Sequence, residues 1–163
     1  MSSEPNLTLV EPDTGGPTDP RIGTKIDNRY VVKKLLGQGG MGVVYFAIHE
    51  ALEKPVAVKV LKPDVSRDEK IMARFKREAR AASAIGSPHI CDVSDFGQLE
   101  DGSTYFVMEM LDGPSLSKIL TGKPLETQRL LKIGSQLAEA LGAAHARQIV
   151  HRDLKPDNVH LVK

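Results

Sequence analysis

The stretch Gly37-Gln38-Gly39-Gly40-Met41-Gly42-Val43-Val44 lies between two strand-like runs, "YVVKKLLG" (30–37) and "VVYFAI" (43–48). Glycines in this spacing allow a tight hairpin, and they leave backbone N–H groups open to phosphate oxygens where a Cβ would collide. The dinucleotide-binding version of the pattern needs a helix directly after the glycines; the strand found here excludes it. Alone the pattern is weak, because most glycine-rich hairpins bind nothing.

A third strand, "VAVKVL" (56–61), continues an antiparallel series. The stretch from Arg67 to Ile85 then places Ile71, Phe75, Glu78, Ala82 and Ile85 on one helical face. Glu78 on that face and Lys59 in an otherwise apolar strand are both out of place. Pairing them is one resolution, since each buried charge costs several kcal/mol alone. The other is that Lys59 reaches solvent along its aliphatic stem and Glu78 lies at the helix edge.

"HICDVSDFG" and "TYFVMEM" read as two more strands joined at "LEDGS", making five. Gly113-Pro114 breaks the chain before a short helix around Leu116 to Leu120. A long amphipathic helix follows from about Glu126 to Arg147, with Leu130, Ile133, Leu137, Leu141 and Ala144 in one stripe. Residues 1–28, with Pro5, Pro12, Pro17, Pro20, Gly15 and Gly16, read as a flexible tail.

Composition narrows the partners. In 163 residues, 22 basic and 21 acidic side chains are interspersed to a net charge of +1, giving no bulk electrostatic reason to bind nucleic acid or an anionic membrane. Cys91 is the sole cysteine, which excludes an intramolecular disulfide and a multi-cysteine metal site; within "PHICDV" it reads as a small core residue on a buried strand. No apolar run approaches the ~18 residues a membrane helix needs, and no basic-then-apolar leader opens the chain, so a cytoplasmic location is expected.

"HRDLKPDN" (151–158) carries the chemistry. Asp153, Lys155 and Asn158 put a proton acceptor, a phosphate-neutralising cation and a metal-coordinating amide on one tight loop, the combination that phosphoryl transfer requires.

Four motifs in order, the glycine loop, "VAVK", the glutamate of "FKREA" and "HRDLKPDN", resemble the eukaryotic-type serine/threonine protein kinases, in the form common in their bacterial branch. The resemblance runs from about Tyr30 to the last residue. It implies an α+β, protein-kinase-like fold: a five-stranded antiparallel N-lobe sheet with one main helix over 29–112, and only the start of a helical C-lobe over 113–163. It further implies ATP and Mg²⁺ as cofactors and a protein substrate bearing Ser or Thr.

Carried over by residue, the resemblance makes Gly37, Gln38, Gly39, Gly40, Met41, Gly42 and Val43 the flap over the nucleotide phosphates. Leu36, Val44 and Ala57 would lie against adenine. Lys59 would hold the α- and β-phosphates and pair with Glu78, Met108 would guard the back of the pocket, and Glu109 and Leu111 would offer hinge backbone groups. Asp153 would accept the substrate proton, Lys155 would stabilise the transferring phosphoryl, and Asn158 would ligate Mg²⁺. "DLKPDN" is more like the serine/threonine-specific pattern than the tyrosine-specific one. His160 departs from the family's usual aliphatic floor for adenine.

Asp95-Phe96-Gly97 spells the family's metal-binding triplet but lies upstream of the catalytic loop, so it reads as a strand-end or turn feature. Between Asn158 and Lys163 there is no D-F-G or A-P-E. The expectation is an N-terminal kinase fragment that is inactive alone and prone to self-association through its exposed leucine stripe, unless a missing C-lobe covers it. Two other readings stay open: a non-catalytic half-kinase that binds nucleotide or docks on a partner, and a subunit completed by another chain.

Overall fold

Asp27 and Asn28 both adopt left-handed backbone, with φ of 50° and 53°, a conformation their short polar side chains tolerate. They turn the chain between β1 (Lys25–Ile26) and β2 (Tyr30–Gln38), within a computed structural model that describes residues 19–122 and 124–162. The side chains of Arg74, Glu78, Ala81 and Ala82 lie outside the described residues. The expected tail is described only from Asp19, and there it is not tail: β1 is a sixth strand, and Ile26 is buried. Two residues are too short for an alternation signal, so the strand is invisible to periodicity.

The remaining strands are β3 (Gly42–His49), β4 (Lys54–Leu61), β5 (Val93–Gln98) and β6 (Thr104–Glu109). All neighbours are antiparallel, in the order β1-β2-β3-β4-β6-β5. Side-chain contacts draw the two borders of this sheet towards each other. Arg29 and the Tyr30 hydroxyl both reach the Asp95 carboxylate of β5, at 2.8 and 2.6 Å, and Arg21 pairs with Asp101 in the β5–β6 turn at 2.6 Å.

One face of the sheet forms the core, because alternate residues on paired strands point the same way. Val32, Tyr45, Ala47, Val56, Val58, Val60, Tyr105 and Val107 gather there with Ile26 and Tyr30. Each fully buried valine stabilises the fold by about 1.5–3 kcal/mol. Burial also pushes the phenols of Tyr30 and Tyr45 upward in pKa, and that of Tyr105 to about 12.

α2 (Glu69–Ile85) fills the stretch from Arg67 to Ile85 expected to be helical, and a short α1 (Pro63–Arg67) precedes it where no helix was expected. Asp68 separates them: its Oδ1 accepts the Lys70 and Ile71 amides at 2.9 and 3.0 Å, capping the start of α2. Phe75 of α2 stacks on Phe106 and Phe96 with ring centroids 4.8 and 6.4 Å apart, which fixes α2 against the sheet face opposite the core.

The chain divides into two compact units, residues up to Ala79 with Val93–Met110, and Arg80–Asp92 with the stretch from Leu111 onward. The second holds α3 (Leu116–Ile119), α4 (Thr127–His145) and a 3-10 turn at Pro156–Asn158. Ile133, Ala140 and Ala144 of α4 are buried, whereas Leu130, at the head of the expected stripe, is 54% exposed. Left-handed Gln148 ends the helix and returns the Ile149 amide to the Ala144 carbonyl at 3.0 Å. Cys91 is half-buried in a loop rather than on the strand expected for it. No helix among the described residues is long and apolar enough to cross a membrane.

Candidate active site

The glycine cluster folds as the β2–β3 hairpin. Gly37 pairs with Val44 and Gln38 with Val43, after a register shift between Leu35 and Gly37 that leaves Leu36 at an irregularity. Gly39 donates to the Gly42 carbonyl at 2.9 Å, and the Met41 carbonyl accepts the Lys62 amide at 3.0 Å, tying the tip to the end of β4. Gly40 is exposed between them. Gly42 is required by the sheet itself: a Cβ there would meet the Val60 carbonyl oxygen at 2.2 Å.

Strand register gathers several expected residues on one face. Val44 pairs with Lys59, Lys59 with Phe106, and Ala57 with Met108, so all five share the face opposite the core. Val44 and Ala57 are buried, and Met108 is half-buried. The Lys59 ammonium sits 5.8 Å from the centre of the Phe106 ring, an arrangement that favours a cation. Sequence reasoning missed Phe106, although its place two residues before Met108 on an alternating strand was a usable signal.

Other expected residues go elsewhere. Val43 packs against the core cluster, and Glu109 pairs with core-facing Val56. Leu111 is half-buried and belongs to the second unit. Glu78 lies on α2, but its side chain is outside the described residues, so the expected pair with Lys59 is too.

In the second unit, the loop from His151 to Asn158 organises itself through short-range bonds. The Asp153 carboxylate lies 3.1 Å from the Lys155 ammonium and accepts the Asn158 side-chain N–H at 2.9 Å. The same Asn158 Nδ2 donates to the Asp153 carbonyl at 2.8 Å. The Asp153 amide donates to His151 Nδ1 at 3.3 Å, and Arg152 between them is left-handed at φ 63°. Hydrogen bonding from Lys155 holds the Asp153 carboxyl below its ordinary pKa, so it is ionised at neutral pH. With Nδ2 used twice, the Asn158 amide oxygen is the atom left to meet a hard cation, the donor type magnesium takes.

Two further bonds support this loop. Ser117 Oγ donates to Asp157 at 2.8 Å, and residues 159–161 run beside Pro114 and Leu116 through amide–carbonyl bonds of 2.7 and 3.0 Å. His160 stands 3.2 Å from the Gly113 carbonyl; an oxygen there can only accept, which places the proton on Nδ1.

Asp95-Phe96-Gly97 is sheet structure. Asp95 lies inside β5 rather than at its end, its carboxylate engaged by Arg29 and Tyr30. Phe96 packs on Phe75, and a Cβ at Gly97 would strike the Tyr105 hydroxyl oxygen at 2.5 Å.

The protein kinase domain model matches residues 30–163. Serine/threonine-protein kinase pkn3 of Myxococcus xanthus is 44% identical over 143 residues, 87% of this chain and 26% of that protein. Serine/threonine-protein kinase PrkC of Bacillus subtilis is 40% identical over 139 residues, 85% of this chain and 21% of that protein. The chain thus spans about a quarter of the length of these curated relatives. Among solved structures, the Mycobacterium tuberculosis PknI kinase domain superposes with a TM-score of 0.74 at 33% identity, covering 86% of this chain and 58% of that one.

Proposed function

Because the chain belongs to the protein kinase domain family, beside bacterial serine/threonine-protein kinases, we propose that it serves the transfer of the γ-phosphoryl group of Mg-ATP to serine or threonine hydroxyls of proteins, in the cytoplasm where that nucleotide is made. The observation that carries this reading is the loop in which Lys155 and Asn158 both bond to the Asp153 carboxylate, within six residues. A loop with only a structural task has no need of an ionised carboxylate, an ammonium and an amide oxygen together.

Each group has a chemical task. Asp153, ionised and oriented by Asn158, accepts the proton of the substrate hydroxyl as the oxygen attacks. Lys155 balances the charge that spreads over the equatorial phosphoryl oxygens. Asn158 offers its amide oxygen to Mg²⁺, which when bound neutralises phosphate charge. In the sheet unit, the backbone amides of the Gly37–Gly42 hairpin cover the phosphates, and Lys59 neutralises the α- and β-phosphates with Glu78 as its partner. Leu36, Val44, Ala57 and Met108 enclose adenine, with Glu109 and Leu111 supplying hinge backbone groups.

Residues 1–163 contain no D-F-G downstream of Asn158. A polypeptide confined to them is therefore expected to transfer no phosphate.

The test is phosphate transfer from radiolabelled ATP to a serine- and threonine-containing protein by the full-length protein, with and without Mg²⁺. Labelled phosphoserine or phosphothreonine, lost by at least about 100-fold in Lys59→Met and Asp153→Asn, is expected. Undiminished labelling in both variants would overturn the reading.

A further inference from the structure

His160 stands where the resemblance expects an aliphatic residue, and the proposed chemistry gives it no task. Its imidazole is half-buried in the second unit, with Nδ1 3.2 Å from the Gly113 carbonyl. Among the described residues it is the only donor to that oxygen, and nothing bonds to its Nε2. An aliphatic side chain in its place would pack but leave the carbonyl unserved, at the cost of a lost hydrogen bond.

The bond belongs to a short two-stranded ribbon. Ser115 faces His160 as an antiparallel pair, the Leu116 amide donates to the Val159 carbonyl at 2.7 Å, and the Leu161 amide donates to the Pro114 carbonyl at 3.0 Å. The two segments are closest at Gly113, where a Cβ would meet the Leu161 carbonyl oxygen at 1.9 Å. Packed backbone on backbone, they shift only together. One segment follows directly on Asn158, and the other ends the stretch that carries Leu111.

The residues just before Gly113 are held differently. Among the described residues the backbone amides and carbonyls of Leu111 and Asp112 engage nothing. The chain is held at Glu109, paired with Val56 at the end of β6, and again at Gly113. Open amide and carbonyl groups are what the edge of a base requires, but a stretch without bonds of its own is placed by its two ends. A small displacement of either end therefore costs binding geometry.

Resting on the nucleotide reading above, we propose that His160 is a positioning residue for the base: its Nδ1–H holds the Gly113 carbonyl and thereby fixes where the Leu111 backbone groups stand when adenine binds. The imidazole acts through Gly113, by its hydrogen bond and not by its ring.

Two substitutions in the full-length protein separate the bond from the ring. His160→Asn discards the ring and keeps an N–H near the place of Nδ1, whereas His160→Phe keeps a ring and discards the N–H. His160→Phe is expected to raise the KM for ATP about fivefold and to leave kcat within about twofold, because the Asp153 loop keeps its own bonds. His160→Asn should stay within about twofold of the parent in both constants. Titration with Mg-ATP should repeat that ranking in Kd, and nitrogen NMR of the histidines should find the His160 proton on Nδ1. The reverse ranking, equal effects of the two changes, or a proton on Nε2 alone would each overturn the positioning role while leaving phosphate transfer standing. A parent protein that binds no Mg-ATP would overturn the nucleotide reading, and the positioning role with it.

Discussion

Asp95 and Asp153 both sit in triplets of a kinase signature and both are ion-paired, yet their partners come from different distances. Asp95 is held by Tyr30 and Arg29, the former 65 residues away in sequence, on a strand that closes the sheet against its opposite border. Asp153 is held by Lys155 and Asn158 within its own loop. A carboxylate satisfied from afar is committed to the fold, because moving it disturbs two strands. One satisfied locally keeps its orientation whatever else binds, and it can turn an oxygen to an incoming hydroxyl. The partners separate the two roles where the letters D-x-x and D-F-G do not.

The contrast is broken most directly by asparagine at each position. Asp153→Asn in the full-length protein should lower phosphate transfer by about 10²–10⁴-fold while its melting temperature moves by no more than about 2 °C. Asp95→Asn should do the reverse, costing about 1–3 kcal/mol in denaturant unfolding through the Arg29 and Tyr30 contacts, with transfer kept within about threefold of the parent when both are assayed folded. Comparable activity losses from both changes would erase the distinction.

Glycine replacements sharpen it. Gly97→Ala would drive a Cβ into the Tyr105 ring, and Gly42→Ala would drive one into the Val60 carbonyl. Each is expected to cost about 1–3 kcal/mol. Gly42→Ala should cost the more, because backbone yields less than a ring, and only it should also weaken nucleotide affinity. Chemical denaturation and nucleotide titration of both variants separate the two effects.

Much of this was legible in the sequence, and the failures share a cause. Strands β2 to β4 follow from alternation, and α4 from its 3.6-residue stripe, because a face buried over many residues leaves a periodic trace. Ile26 contributes to the core from a two-residue strand, which has no period to read. The five-residue α1 ahead of the expected helix is likewise too short to show a period, and Asp68 sets the boundary between α1 and α2 through one side-chain cap. The loop around Asp153 was readable because its bonds are local, whereas nothing near Asp95 in sequence points to Tyr30. Leu130 took its place in the stripe by spacing, and its exposure agrees with the exposed leucine stripe read from the sequence.

Titration extends the comparison with smaller effects. Burial holds the Tyr105 phenol neutral up to about 12, whereas the unfolded chain ionises near pH 10, at about the free tyrosine value. Stability is therefore whole below that pH and falls as pH rises from about 10 towards 12. Tyr30 and Tyr45 shift in the same direction. Melting curves across that range should show the fall, and Tyr105→Phe should flatten it.

For Asp153 the sign is opposite. Its carboxyl is held below the value of 3.8, chiefly by Lys155, so its contribution is present above that pH and is lost as pH falls through the folded pKa. Carboxyl NMR should give a midpoint under 3.8, and Lys155→Gln should move it upward. A midpoint unmoved by that change would mean that Asn158, not Lys155, sets the charge state of the loop.

The register shift at Ser94, between Val93 and Asp95, has one more effect. β5 is the last strand on its side of the sheet, and such strands offer unpaired amides and carbonyls to any extended polypeptide that drifts past. An uneven ladder flanked by Arg29 and Lys76 makes a poor template, so fibrillar stacking through this rim is discouraged even when the protein is concentrated.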